Sequence, residues 1–267
     1  MHHKFAKRWA SIDSQVTRHN QERKGLMTIN RSLLMRYSLG LAVAVGLFTA
    51  VAAQGIRKPS MSDTIRANVY ADNWFQMYIN DELVAVDSIK FIPHNVVSVD
   101  ILPTYPMTIA VMAKDNADPK TGMEYANTNI GDAGFILKFT DGTITNARWK
   151  AKSFSHGQVN GDTKNPRVEN IPIPDNWFAI DFDDHDWANA TEFTEEEVGP
   201  KQPYYDTDFK GAKFIWSKDI ALDNTVIFRH HVAVSPDGKQ RPDFTNLNNV
   251  VPDAPKKKDS AKKKRPR

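Results

Sequence analysis

The chain has 267 residues, 40% of them hydrophobic and 10% aromatic, which suits one sizeable globular domain or two small ones. It has no cysteine, which excludes disulfides, thiolate metal sites and a cysteine nucleophile. The formal charge of +3 hides an uneven placement: residues 54–253 carry 19 basic and 29 acidic side chains, so the body is acidic, only the ends are basic, and a nucleic-acid groove is excluded as the reading of the net charge.

Residues 31–53 read RSLLMRYSLGLAVAVGLFTAVAA. Arg31 and Arg36 precede an uncharged apolar run that ends in Ala50-Val51-Ala52-Ala53. A basic start, an apolar stretch and small residues at its end form a secretory signal. The run falls slightly short of the ~20 residues of a membrane span, so a retained single-span anchor is the lesser expectation. Met27 and Met35 each offer a start, and residues 1–26 are given no role in the fold. The expected layout is an N-terminal extension and signal over 1–53, helical or disordered, then a linker over 54–63.

From residue 64 to 234 the pattern is all-β. Strands are expected at 64–70, 74–79, 83–86, 96–102, 107–113, 134–139 and 143–147, each short and rich in β-branched and aromatic residues. Asn80-Asp81-Glu82 is a polar turn, and Asp141-Gly142 marks a tight hairpin because glycine takes positive φ at little cost. Residues 152–176 and 195–203 look like loops, broken by Gly157, Gly161, Pro166, Pro172 and Pro174 in the first and Gly199, Pro200 and Pro203 in the second. Further strands are expected at 212–216 and 226–234. No segment of the region holds a 3.6-residue apolar period, and many short alternating strands point to a β-sandwich. From residue 235 the chain is rich in Pro, Asn and Lys and ends KKKDSAKKKRPR, the composition of a disordered basic tail.

Residues 69–84, VYADNWFQMYINDELV, pose a packing problem. Phe75, Met77 and Ile79 alternate with Trp74, Gln76 and Tyr78, so both faces of one strand carry large groups. The first set faces the sandwich core. The second is either a platform for a ligand or a second core, if residues 175–216 fold back over it.

Several phrases taken together resemble the galactose-binding-like jelly-roll domains that accompany bacterial glycosidases of the rhamnosidase and sialidase type. They are ADNWFQMYINDELV, PMTIAVMAKD, DAGFILKFTDGTITNARWK, FDDHDWANA, and AKFIWS followed by VIFRHHVAV. They occur in the family's order and span about residues 64–234. The family's Asn-Gly turn is Asn80-Asp81 here, so positive φ must be reached without glycine. The resemblance implies a jelly-roll β-sandwich that binds carbohydrate or supports neighbouring domains; fold alone does not settle which.

Candidate side chains carry alternatives. Asp72, Asp115 and Asp118, with Asn73 and Asn116, lie in loops flanking strands. They suit a structural Ca²⁺, which the resemblance also suggests, or ordinary turn bonding. Asp181, Asp183, Asp184 and Asp186 suit a capped turn, Ca²⁺, or the carboxylate pair of a glycosidase formed by Asp183 and Asp184. Trp74, Tyr78 and Trp177 are the candidates for stacking on a sugar ring, while Trp187 and Trp216 belong to the core. His94, His156, His185 and the adjacent His230-His231 lack metal-ligand spacing, and no GxSxG, phosphate-loop or dinucleotide pattern is present. The expectation is an exported, non-catalytic carbohydrate-binding or cell-surface matrix protein. Its partner is a polysaccharide, its basic tail meets an anionic surface, and it has no nucleic-acid partner. The alternatives are a self-associating subunit of a surface layer or filament and, less favoured, a glycoside hydrolase.

Overall fold

The computed structural model describes residues 58–88, 95–126 and 128–244. The signal region and the last part of the basic tail lie outside these residues, as does His94. Among the described residues no helix is long and apolar enough to cross a membrane.

Among the described residues twelve strands form two antiparallel sheets. The first contains β1 (Ile65–Asp72), β4 (Asn95–Ile101), β6 (Gly134–Phe139), β10 (Thr191–Phe193) and β11 (Phe214–Trp216), in the order β10-β11-β6-β1-β4. The second contains β2 (Trp74–Ile79), β3 (Glu82–Val86), β5 (Met107–Lys114), β7 (Lys150–Gly157), β8 (Val168–Asn170) and β12 (Asp223–Val232), in the order β3-β2-β5-β12-β7-β8. A two-residue strand, β9 (Ala188–Asn189), also pairs with β7.

The sheets face each other as a β-sandwich. Phe135 of the first sheet stacks on Phe228 of the second at 5.3 Å between ring centroids and meets Phe75 at 6.4 Å; Trp216 reaches Phe228 at 5.7 Å. Phe75, Met77 and Ile79 are buried in this core, as their alternation predicts.

The β2–β3 turn shows why the sequence manages without glycine. Asn80 and Asp81 have φ of 47° and 72°, and Ile79 pairs with Glu82 across them, so both central residues are left-handed, as a tight hairpin requires. Their side chains then bond outward. Asn80 Oδ1 accepts the Thr108 amide at 2.8 Å, and Asp81 Oδ1 accepts the Ile180 amide at 2.6 Å.

Each sheet is also covered on its outer face. Over the first sheet, Tyr70, Ile136 and Phe214 pack with Val198, Tyr204 and Phe209, which come from helix α1 (Glu195–Val198), the 3₁₀ turn Tyr204–Asp206 and the chain after it. Over the second, Trp74, Met112, Phe154 and Ile227 pack with Trp177 and Trp187.

Arg229 of β12 holds that second cover in place. Its Nε donates to Asp184 at 2.7 Å, and its other nitrogens donate to the carbonyls of Trp177 at 2.7 Å and Ala179 at 2.9 Å. The Phe182 ring lies 5.2 Å from its guanidinium. The side chain is only 3% exposed, so these contacts replace the water it has lost.

Four expectations are corrected. Residues 143–147 form no strand; they run beside β6 through two backbone bonds, Phe139 N–H to Thr143 and Thr145 N–H to Leu137. The stretch 152–176 includes most of β7 and all of β8. The stretch 195–203 includes α1, whose Thr194 and Glu197 form a capping box. The body does not stop at 234: Arg241 pairs with Asp237 at 2.7 Å, and Phe244 is buried.

Arg229→Ala removes three bonds and strands Asp184 with two carbonyls, so it lowers stability by about 3–5 kcal/mol. Arg229→Lys restores only part, because an ammonium cannot fork to three acceptors. Urea unfolding followed by tryptophan fluorescence measures both, and a loss below about 1 kcal/mol for Arg229→Ala would show that the cover stands without it.

Candidate functional site

The three aromatic candidates meet, but not as an open platform. Trp74 is 8% exposed and Trp177 5%. Tyr78 stacks on Phe178 at 4.3 Å and sets its edge to Trp177 at 5.2 Å. The Trp74 indole N–H donates to the Asp87 carbonyl at 2.9 Å. Residues 173–187 fold back over these rings, so Trp74 and Trp177 are buried in a second core and Tyr78 is half-buried against it. The corrected role follows from burial: aromatic area is removed from water by the cover rather than by a ligand.

The three metal candidates separate. Asp72 and Asp115 are buried at one end of the sandwich. Asp118 is exposed, accepts the Lys120 amide at 2.7 Å on Oδ1, and closes a turn through its carbonyl to Thr121 and Gly122. Ca²⁺ takes six to eight oxygens, and among the described residues no three of the His, Asp and Glu side chains gather as a metal set. Asp118 therefore does not join Asp72 and Asp115 in one cluster.

Asp115 instead faces a residue the sequence reading did not single out, Glu124. Both are 3% exposed, and each leaves one carboxylate oxygen, Asp115 Oδ2 and Glu124 Oε1, with no hydrogen-bond donor. The approach depends on Gly131, where a Cβ would fall 1.7 Å from Asp115 Oδ2. Burial pushes both carboxyl groups up from their ordinary range, and for Asp115 the neighbouring Glu124 adds to the rise. Burial, with Asp132 and Glu124 nearby and Lys201 opposing, raises Asp72 to about 7. Two desolvated carboxyl groups close together disfavour the form in which both are charged. In the sequence, Glu124 is a lone acid in a polar loop, and only the loop's return to Asn129 brings it inward: the Glu124 amide donates to the Asn129 carbonyl at 2.9 Å.

The acidic cluster of 181–186 divides between fold and surface. Asp184 is held by Arg229. Asp183 accepts the His185 imidazole at 2.7 Å, and Asp186 lies 2.9 Å from its other nitrogen. That imidazole is raised, first by its bond to Asp183. The other histidines take separate roles. His230 stacks on Trp149 at 4.9 Å and is lowered to about 4 by burial, with Arg148 adding to the effect. His231 meets Thr108 at 2.8 Å.

Where the cover meets β7, it leaves a cleft of about 700 Å³. Phe154, Ile171, Phe182 and Trp187 supply apolar lining. His156 enters from β7 with Nδ1 2.7 Å from Asp223 Oδ1, and the Ser217 hydroxyl donates to the other Asp223 oxygen. A nucleophilic triad needs the imidazole between the hydroxyl and the carboxylate, to take the hydroxyl proton. Here the carboxylate stands in the middle, so His156 does not activate Ser217.

The buried acids set a pH dependence. Acids whose folded pKa lies above the unfolded value stabilise the fold below the unfolded pKa and lose that contribution as pH rises through the folded one. For Asp72 the window runs from about 4 to about 7. Stability is expected to fall across it by on the order of 1–3 kcal/mol, and Asp72→Asn flattens the slope. Thermal unfolding across this range checks the sign.

Comparison of the chain with protein-family models, with curated proteins and with solved structures gives no match.

Proposed function

We propose that the chain is an exported, non-catalytic carbohydrate-binding protein of jelly-roll type, and that its ligand occupies the cleft at the β7 edge. The observation that carries the reading is the cleft itself. Its volume of about 700 Å³ falls in the range of small-molecule sites, and its lining combines apolar side chains with a few polar ones, as such sites do. A sugar ring needs both: an apolar surface for its C–H face and planar acceptors for its hydroxyls. The order Ser217–Asp223–His156 supports a binding role over acyl transfer. The engagement of Asp183 by His185 and of Asp184 by Arg229 leaves that pair poorly suited to glycoside cleavage. Export rests on the pattern of residues 27–53. The basic end of the tail gives the acidic body a means of contact with an anionic surface.

Array and pull-down binding of the full chain against polysaccharides tests the reading. Retention by at least one glycan is expected. Ile171 is 52% exposed, so Ile171→Asp weakens that retention and leaves the unfolding midpoint in place. Retention by no polysaccharide at any concentration overturns the reading. Ordered polymers of the chain in scattering or negative-stain images, without glycan binding, favour the surface-layer alternative instead.

A further inference from the structure

We propose that the ligand of this cleft is a neutral sugar ring that presents two adjacent hydroxyls to Glu169 and to Nε2 of His156, with Asp223 positioning the imidazole. The inference rests on the carbohydrate reading of the cleft and names the class of sugar.

Asp223 fixes the tautomer. Its side chain is 4% exposed and acts as an acceptor for both neighbours, Ser217 on one oxygen and His156 on the other. A carboxylate at Nδ1 requires the proton there, so the neutral imidazole has its lone pair on Nε2. Among the described residues Nε2 has no hydrogen-bond partner, and His156 lines the cleft.

The β7–β8 ladder supplies the second acceptor. His156 pairs directly with Glu169, and opposed residues share one face with Cβ atoms about 5 Å apart. Glu169 is exposed and lines the same cleft. Asp183 and Asp186 each place one oxygen on His185. Glu169 and His156 stand side by side on the ladder, which suits two neighbouring O–H donors. The apolar lining beside them suits the ring's C–H face.

Charge selects the class. Lys152 and Lys218 line the cleft together with four carboxylates, Glu169, Asp183, Asp186 and Asp223. Lys152 also lies over the Phe154 and Trp187 rings at 5.7 and 5.9 Å. The cleft has no excess of cations to hold a uronate, whose carboxylate would meet Glu169. With His185 raised, it also has no large anionic excess to favour an amino sugar.

Calorimetry on the full chain, with neutral hexose and pentose oligosaccharides, oligogalacturonate and chitosan oligomers as probes, tests this. A neutral oligosaccharide is expected to bind best. Glu169→Gln, at an exposed position, weakens it by about tenfold or more with an unchanged unfolding midpoint, and His156→Gln weakens it by a similar factor. In ¹⁵N spectra of the imidazoles, Asp223→Asn shifts the His156 tautomer and weakens the same sugar; an unmoved tautomer removes Asp223 from the proposal. Neutral-sugar binding unchanged in both Glu169→Gln and His156→Gln overturns the inference and leaves the carbohydrate reading standing. So does a preference for oligogalacturonate or chitosan. Binding of no saccharide overturns both.

Discussion

The arrangement of the second sheet depends on one buried cation. Arg229 sits where a sandwich strand would ordinarily turn a residue toward water, yet it is 3% exposed. Removing a guanidinium from water is costly unless its donors are met. They are met by Asp184 and by two carbonyls of the same short segment. The cost of burial and the geometry of the fork together specify one path for residues 177–184. A lysine would meet fewer acceptors, and an apolar residue would leave the carbonyls without a donor. The path it fixes covers Trp74, Met112 and Ile227, and the same segment continues into Phe182 and Trp187 at the cleft. The second core and the candidate site are therefore consequences of one charge.

This explains which parts of the fold were legible in the sequence. β2 and β6 match the expected ranges because their alternation is strong and both ends are marked by turn residues. β7 was hidden. Its sequence, KAKSFSHG, offers small inward residues and, apart from Phe154, polar outward ones, and its ladder to β12 shifts register near Ser153 and Ser155. A bulge breaks the period on which strand recognition relies. α1 was hidden for the opposite reason: four residues hold too little period to read, although Thr194 and Glu197 carried the capping signal. The double-sided aromatics of residues 74–79 left open whether protein or a ligand covers the outer face. The sequence could not say that Arg229 and Asp184, 45 positions apart, would hold the cover there.

Site residues were legible only in part, because burial changes what a carboxylate does. Asp115 was visible as an acid beside a strand end. Its partner Glu124 was not, since the pairing depends on a loop return and on the bare Cα of Gly131. The same composition of acids serves three purposes in this chain. Asp184 neutralises a buried cation, Asp223 orients an imidazole, and Asp115 lies desolvated beside Glu124. Spacing along the chain distinguishes none of these; the partner that each carboxylate meets after folding does.

The cover also changes where a ligand can be sought on such a sandwich. An open outer face would offer the rings of Trp74 and Tyr78 to a flat sugar surface. With residues 173–187 in place, that apolar area is already out of water and contributes to stability instead of affinity. What is left for recognition is the margin, where the cover ends and β7 and β8 run on beyond it. At that margin the polar side chains do not need to satisfy the fold. Glu169 is exposed, and His156 spends one nitrogen on Asp223 and keeps the other for the cleft. The fold thus separates its aromatic surface, which it uses for itself, from its free acceptors, which it leaves at the edge. The edge is the place where a bound ring adds burial without competing with the core.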